Sequence, residues 1–179
     1  MAHPDRGLPG SPAGAVWNTG IMLGEHHYSV DVEWQGDLGT GTSGYRDYSR
    51  RVELSSIAAD PIAGSADKPF RGDPDRWNPE QLLLGALAQC HLLSYLHVAV
   101  TEGVVVTGYR DSAVGTMTED GRSSGAFTEV VLRPEVTVAS ASMVEAATAA
   151  HARANELCFI ANSVNFPVRH EPTIVVASS

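Results

Sequence analysis

Apolar and polar residues alternate from His27 to Gln35. Tyr28, Val30, Val32 and Trp34 fall on one side, and Ser29, Asp31 and Glu33 on the other. A period of two predicts a strand with one face buried. Gly36-Asp37 begins a turn, and Tyr45 to Ile57 then reads as one or two further strands. Residues 58–77 carry three prolines among Asp and Gly and predict a long loop, a kind of segment that often carries function. At residue 78 the pattern changes. Asn78 suits an N-cap, Pro79 the first helical position, and Glu80 the positive end of the helix dipole. The apolar run that follows predicts a helix to about Thr101, stopped at Gly103 and buried on most faces.

Beyond Gly103 the chain returns to strand pattern. Residues 104–118 and 127–138 each read as one strand, joined by a turn at Asp120 to Gly125, with Pro134 suggesting an edge position or a bulge. Ser142 followed by Glu145 is a capping-box pattern that opens a second helix over about 142–158. Val144, Ala147, His151, Ala154 and Cys158 share one face of it at helical spacing. Asn165 to Ala177 closes the chain as a last strand. The order β-β-α-β-β-α-β predicts an α+β fold with a largely antiparallel sheet. Residues 1–24, rich in Gly, Pro and Ala, read as a flexible arm, leaving 25–179 as a single domain.

Composition narrows the function. A formal net charge of −9 over 179 residues argues against a nucleic-acid partner and against anionic membranes. Leu82 to Val100 is long enough to raise a transmembrane question, but Gln89, His91, Ser94 and His97 interrupt it, so a core helix is the better reading. With no signal-like segment, the expected compartment is the cytoplasm, where a cysteine pair is more often catalytic than structural. The two cysteines, Cys90 and Cys158, lie 68 positions apart, which fits neither CxxC chemistry nor a zinc-ligand pattern. His91 and His97 are six apart, off one helix face, and read as core or interface hydrogen-bonding groups. Gly39 to Gly44 fits GxGxxG, but no βαβ unit surrounds it. No cofactor or metal is expected.

Asn78-Pro79-Glu80, with Cys90 ten residues after the glutamate, resembles the signature of the OsmC/Ohr family, the osmotically inducible and organic hydroperoxide resistance proteins. A second Cys at a helix end, a hydrophobic final strand, and Trp34-x-Gly36-Asp37 resemble the OsmC branch. Together these features span roughly residues 27–177. The resemblance implies an OsmC-like fold, with the sheet wrapped around long central helices in an intertwined homodimer. It also implies a thiol peroxidase acting on organic hydroperoxides, regenerated by a dithiol reductant such as a lipoylated protein. Carried over by position, Cys90 is the peroxidatic thiol, Cys158 the resolving thiol, and Glu80 the acid that holds a catalytic arginine. Arg71 stands near the place used in the OsmC branch and Arg46 nearer that of the Ohr branch; Arg76 is a third candidate. Gln89, His91 and Phe159 depart from the family's usual residues beside the two cysteines.

One inference is independent of the resemblance. Ten helical residues span about 15 Å. Glu80 and Cys90 of one chain therefore cannot both touch one arginine head, so a shared site needs a second protomer. Two other readings stand beside the enzyme: a non-enzymatic protein binding an apolar ligand, and thiol–disulfide exchange with a small thiol.

Overall fold

The computed structural model describes residues 24–121 and 124–178. The expected arm, apart from its last residue, lies outside them. The element order is β1 (Asp31–Trp34), β2 (Val52–Ser55), β3 (Ile62–Gly64), α1 (Pro79–Thr101), β4 (Val106–Asp111), β5 (Val114–Glu119), β6 (Gly125–Leu132), β7 (Pro134–Val138), α2 (Val144–Leu157), β8 (Val168–His170) and β9 (Thr173–Val176). The class is α+β, as expected, but the strands form three sheets of three in place of one.

Each of the three long strands expected beyond Gly103 is two strands. The chain bends at Ser112-Ala113, at Arg133 and at Glu171-Pro172, so β4, β7 and β9 form one sheet and β5, β6 and β8 another. Pro134 opens β7 opposite Asp111. Its missing N–H is tolerated there because the first residue of a strand can do without a ladder bond. β7 lies between β4 and β9, so the edge position expected for Pro134 is wrong. Most pairings are antiparallel, but β8 runs parallel to β6 and β9 parallel to β7.

The N-terminal sheet, β1-β2-β3, is antiparallel throughout. β3 and a 3-10 turn at Lys68–Phe70 fall inside the segment expected to be loop, and Tyr45–Ile57 yields one strand. No face of β1 is buried within the protomer, contrary to the alternation: Val32 is 63% exposed and Trp34 43%. Among the described residues the three strands pack chiefly on one another and not on either long helix.

α1 begins where the sequence places it. Asn78 Oδ1 accepts from Gln81 N–H at 2.8 Å, and Gln81 Oε1 accepts from Asn78 N–H at 3.1 Å. The helix ends where Gly103 takes φ +68, a conformation glycine adopts without strain. Its buried residues are Leu87, His91, Tyr95, Val98 and Ala99, which lie on one face at spacings of three, four and one. Leu93, Leu96 and Val100 on other faces are exposed, so the expectation of burial on most faces does not hold within one protomer. By length and composition alone α1 could cross a membrane. Its buried face, however, packs on α2 and β4 and carries a histidine and a tyrosine.

α2 starts at Val144, and the capping box expected at Ser142 and Glu145 does not form. Residues 141–143 make a 3-10 turn, and Ser142 Oγ pairs instead with Ser140 Oγ at 2.8 Å. Its inner face is as predicted, with Ala147, His151 and Ala154 buried. The core has two parts. One joins Tyr95, Val98 and Val104 to Val136, Val138, Ala147, Ala150 and Ala154; the other joins Leu87 to Val130 and Leu132.

Candidate functional site

The fold brings the two cysteines together. Cys90 lies at the middle of α1, and Cys158 is the residue that caps α2, one position beyond the helix. The turn after Cys158 folds back over both sulfurs. Ile160 N–H points at Cys90 Sγ at 3.5 Å, and Ala161 N–H at Cys158 Sγ at 3.4 Å. Both thiols are free; Cys158 is buried and Cys90 partly exposed. Burial, reinforced by the thiol–thiol hydrogen bond with Cys90 and by the Cys90 charge, pushes the Cys158 pKa up to about 11. Cys158 therefore stays protonated at neutral pH and can donate its S–H to Cys90. A partly exposed sulfur beside a buried thiol is an arrangement in which one can react with a ligand and the other can follow.

The other site candidates do not meet Cys90 within one protomer. Glu80 sits in the first turn of α1, ten residues away, and its Oε2 is buried with no hydrogen-bond partner among the described residues. Arg46 is exposed in the loop before β2. Arg76 is committed elsewhere, donating from Nη1 to the Val52 carbonyl at 3.2 Å. Arg71 lines a cavity of about 450 Å³ with Gln35, Leu38, Arg50, Arg51 and Asp73. Its backbone is left-handed, at φ +62 and ψ +31, which costs a non-glycine residue about 1 kcal/mol or more. Gly72 closes this loop against the Ala66 carbonyl, where a Cβ has no room.

The sequence reading did not foresee what lies beneath the thiols. His91, His151 and His170, from α1, α2 and β8, meet in the core with ring centroids 5.3 to 6.0 Å apart. His91 Nε2 and His151 Nδ1 share a hydrogen bond of 3.0 Å. Tyr95 stacks on His151 at 4.1 Å and donates its O–H to the Ala147 carbonyl at 3.0 Å. His91 thus has the core role expected of it, whereas His97 is exposed. Burial drives the His91 pKa down to about 4, and burial together with the neighbouring histidines drives His151 down to about 3. Both are neutral at physiological pH. The helical spacing of His151 with Ala147 and Ala154 and the core reading of His91 are the signals of this cluster in the sequence; their pairing is not legible there. Among the described residues, no group of His, Cys, Asp or Glu is placed to hold a metal ion.

Comparison with known proteins places the chain. A family model described as OsmC-like protein matches residues 72–173. Among solved structures, an OsmC-like protein of unknown function from Vibrio cholerae is similar at TM-score 0.71 and 29% identity, covering 83% of this chain and 99% of that one. An organic hydroperoxide resistance protein from Elizabethkingia anophelis is similar at 0.63 and 14%, covering 87% and 100%. An organic hydroperoxide resistance protein OsmC from Legionella pneumophila is similar at 0.57 and 18%, covering 84% and 99%. No curated protein matches the sequence.

Proposed function

Because this chain belongs to the OsmC-like protein family, we propose that it is a cysteine-based peroxidase that reduces organic hydroperoxides to alcohols. The observation that carries the reading is the pair of thiols, 68 residues apart in sequence, meeting where the C-terminal end of α2 reaches the middle of α1, with Cys158 kept protonated. The Cys90 thiolate attacks the outer peroxide oxygen. The O–O bond breaks, and the leaving alkoxide takes a proton to become the alcohol. Cys90 is left as a sulfenic acid. The Cys158 sulfur then displaces hydroxide from it, giving a Cys90–Cys158 disulfide and water. A dithiol reductant in the cytoplasm restores both thiols by exchange.

The alkoxide leaving group calls for a cation, and the cation calls for an anchor. Arg71 is the first choice for the cation and Arg46 the second. Glu80 is the anchor, its buried Oε2 lacking a hydrogen-bond partner among the described residues. Since about 15 Å of helix separates Glu80 from Cys90, the acid and arginine serve the cysteines of a second protomer, and the enzyme is a homodimer. The exposed Leu93, Leu96 and Val100 of α1 and the uncovered faces of β1 supply apolar surface for that contact.

The test is one equivalent of cumene hydroperoxide on pre-reduced protein, with intact mass and free thiols read within seconds. Loss of two mass units and both thiols is expected, abolished by Cys90→Ser. Unchanged thiols at that dose refute the peroxidase.

A further inference from the structure

The turn that follows α2 brings two backbone donors to the thiols. Ile160 N–H faces Cys90 Sγ at 3.5 Å, and Ala161 N–H faces Cys158 Sγ at 3.4 Å. Ile160, Ala161 and Val164 pack on the cluster of Leu87, Val130 and Leu132, which keeps the turn down on the core. Apolar packing of that kind has little directional preference. The register of the turn along α2 comes from hydrogen bonds, and Asn162 makes two of them. Its N–H donates to the Cys158 carbonyl at 3.0 Å, and its Nδ2 donates to the Glu156 carbonyl at 3.0 Å. Ser163 Oγ adds a bond to the Phe159 carbonyl at 2.7 Å. Asn162 thus straps the turn to the last residues of α2, across Cys158.

Position matters more than usual for this thiol. Cys158 is buried, and a pKa of about 11 leaves only a trace of thiolate at neutral pH. The thiolate is the species that attacks. The N–H groups of Ala161 and Ile160 act against burial and favour that charge. A nucleophile scarce in its reactive form depends on being held against its target, because oriented groups react at a high effective concentration. The Cys90 sulfenic acid has two fates. In one, the Cys158 sulfur attacks Cys90 Sγ, the S–O bond breaks, and the departing hydroxide takes the Cys158 proton and leaves as water. In the other, a second hydroperoxide transfers an oxygen to the same sulfur and leaves as alcohol, giving a sulfinic acid that thiols do not restore.

We propose that Asn162 is a positioning residue for the first fate: by strapping the turn to α2 it holds Cys158 against Cys90, and so sets how the sulfenic acid divides between disulfide and sulfinic acid. The proposal rests on the peroxidase reading for the sulfenic acid but not for the geometry of the two thiols. The plain alternative is a helix cap, since carbonyls in the last turn of a helix lack partners within it and Glu156 supplies one of them. A cap alone alters stability and leaves the division of products where it was.

The variants are Asn162→Ala and Asn162→Asp, which remove the Nδ2 donor, and Asn162→Gln, which keeps one on a longer stem. Asn162 is exposed, so none of them disturbs the core. Pre-reduced protein is treated with increasing cumene hydroperoxide and its intact mass is read: the disulfide loses two hydrogens, and the sulfinic acid gains two oxygens. The peroxide concentration that converts half the protein to sulfinic acid is expected to fall about fivefold in Asn162→Ala and Asn162→Asp, the scale of one lost hydrogen bond. Asn162→Gln should recover part of that. A second measurement needs no peroxide. Each protein is equilibrated with mixtures of oxidised and reduced dithiothreitol, and the disulfide is counted by mass after alkylation. The ratio of oxidised to reduced reagent at half conversion is expected to rise about fivefold in the same two variants. That rise supports the proposal even where hydroperoxide leaves the wild-type thiols unchanged, a result that sinks the peroxidase alone. Equal dithiothreitol midpoints in wild type and Asn162→Ala overturn the proposal, whatever happens to Tm, and so does a shift that Asn162→Asp does not share. An unchanged division of products, where the wild type does form the disulfide with peroxide, overturns it as well.

Discussion

Acidification from pH 7 to pH 5 should destabilise this protein through its buried histidines. His91 and His151 are 0% and 1% exposed, and their pKa values lie near 4 and 3, against an ordinary 6.5. A histidine whose folded pKa is depressed has no effect above pH 6.5, where both states are neutral. Below it the unfolded chain takes up protons that the folded chain refuses, so stability falls with pH until the folded pKa is reached. At pH 5 both native rings are still neutral, so the loss depends on the ordinary value alone. That is 1.5 units below 6.5, or about 2 kcal/mol for each histidine at 1.36 kcal/mol per unit, and roughly 4 kcal/mol for the pair. Typical domains have only about 5–15 kcal/mol to lose. His170, also depressed by burial, adds in the same sense. Asp37 and Asp73, whose pKa values are lowered, lose their contribution only below about 3.8, outside this window. Asp111, raised by burial, works in the opposite sense and partly offsets the histidines. The assay is urea unfolding at fixed protomer concentration at pH 7, 6 and 5, followed by circular dichroism. The slope between pH 6 and 5 should approach two protons, about 2.7 kcal/mol per pH unit. The double substitution His91→Gln, His151→Gln should remove most of that slope, whatever it does to the stability at pH 7. A wild-type slope below one proton, or one that the double variant leaves intact, refutes the reasoning.

Other perturbations reach the site and the helix that carries it. Cys158→Ser should trap the first oxidation step: after peroxide, intact mass rises by one oxygen where wild type loses two hydrogens, and excess peroxide adds a second oxygen. Glu80→Gln keeps the shape of the side chain but removes the charge; if it anchors a catalytic arginine, kcat/KM should fall about tenfold or more, whereas a plain helix-dipole role would change stability by about 0.3–1 kcal/mol and leave the rate alone. Asn78→Ala removes the side-chain half of the capping box at the start of α1, the acceptor for Gln81 N–H, and should lower the urea midpoint by the equivalent of about 1 kcal/mol, with no change in the slope of the unfolding curve.

The parts of the fold legible in the sequence are those fixed by local chemistry. Asn78-Pro79 marks the start of α1 because capping and proline geometry act within four residues. The inner face of α2 reads correctly because Ala147, His151 and Ala154 follow the helical period. What escaped depends on contacts between distant segments. The breaks at Arg133 and Pro172 leave the apolar pattern nearly continuous, so two strands read as one. The parallel docking of β8 on β6 and β9 on β7 joins residues some 38 positions apart, such as Val130 with Val168 and Val136 with Ile174. The alternation in β1 signals a face meant for burial, yet nothing among the described residues buries it. Ser142 and Glu145 have the right identities for a capping box, but the 3-10 turn at 141–143 moves the helix start past them. At the site, the meeting of Cys90 and Cys158 was legible through their motifs, whereas the roles of Arg71 and Glu80 rest on the proposed dimer.

The histidine core and the thiol pair are one construction. α1 carries His91 directly after Cys90, and α2 runs from Ala147 past His151 to Cys158. Three contacts tie those helices: the His91–His151 hydrogen bond, the stack of Tyr95 on His151, and the bond from Tyr95 to the Ala147 carbonyl. An all-aliphatic core of the same volume would hold the helices with less directional preference, since dispersion tolerates a slide that a 3.0 Å hydrogen bond does not. In the proposed cycle the two sulfurs pass from contact to a bond of about 2.05 Å, a step that needs that register. Neutral buried histidines supply it without a charge to desolvate, and the accompanying liability is the sensitivity to acid derived above. Loss of the register on acidification would separate the two sulfurs as the helices part.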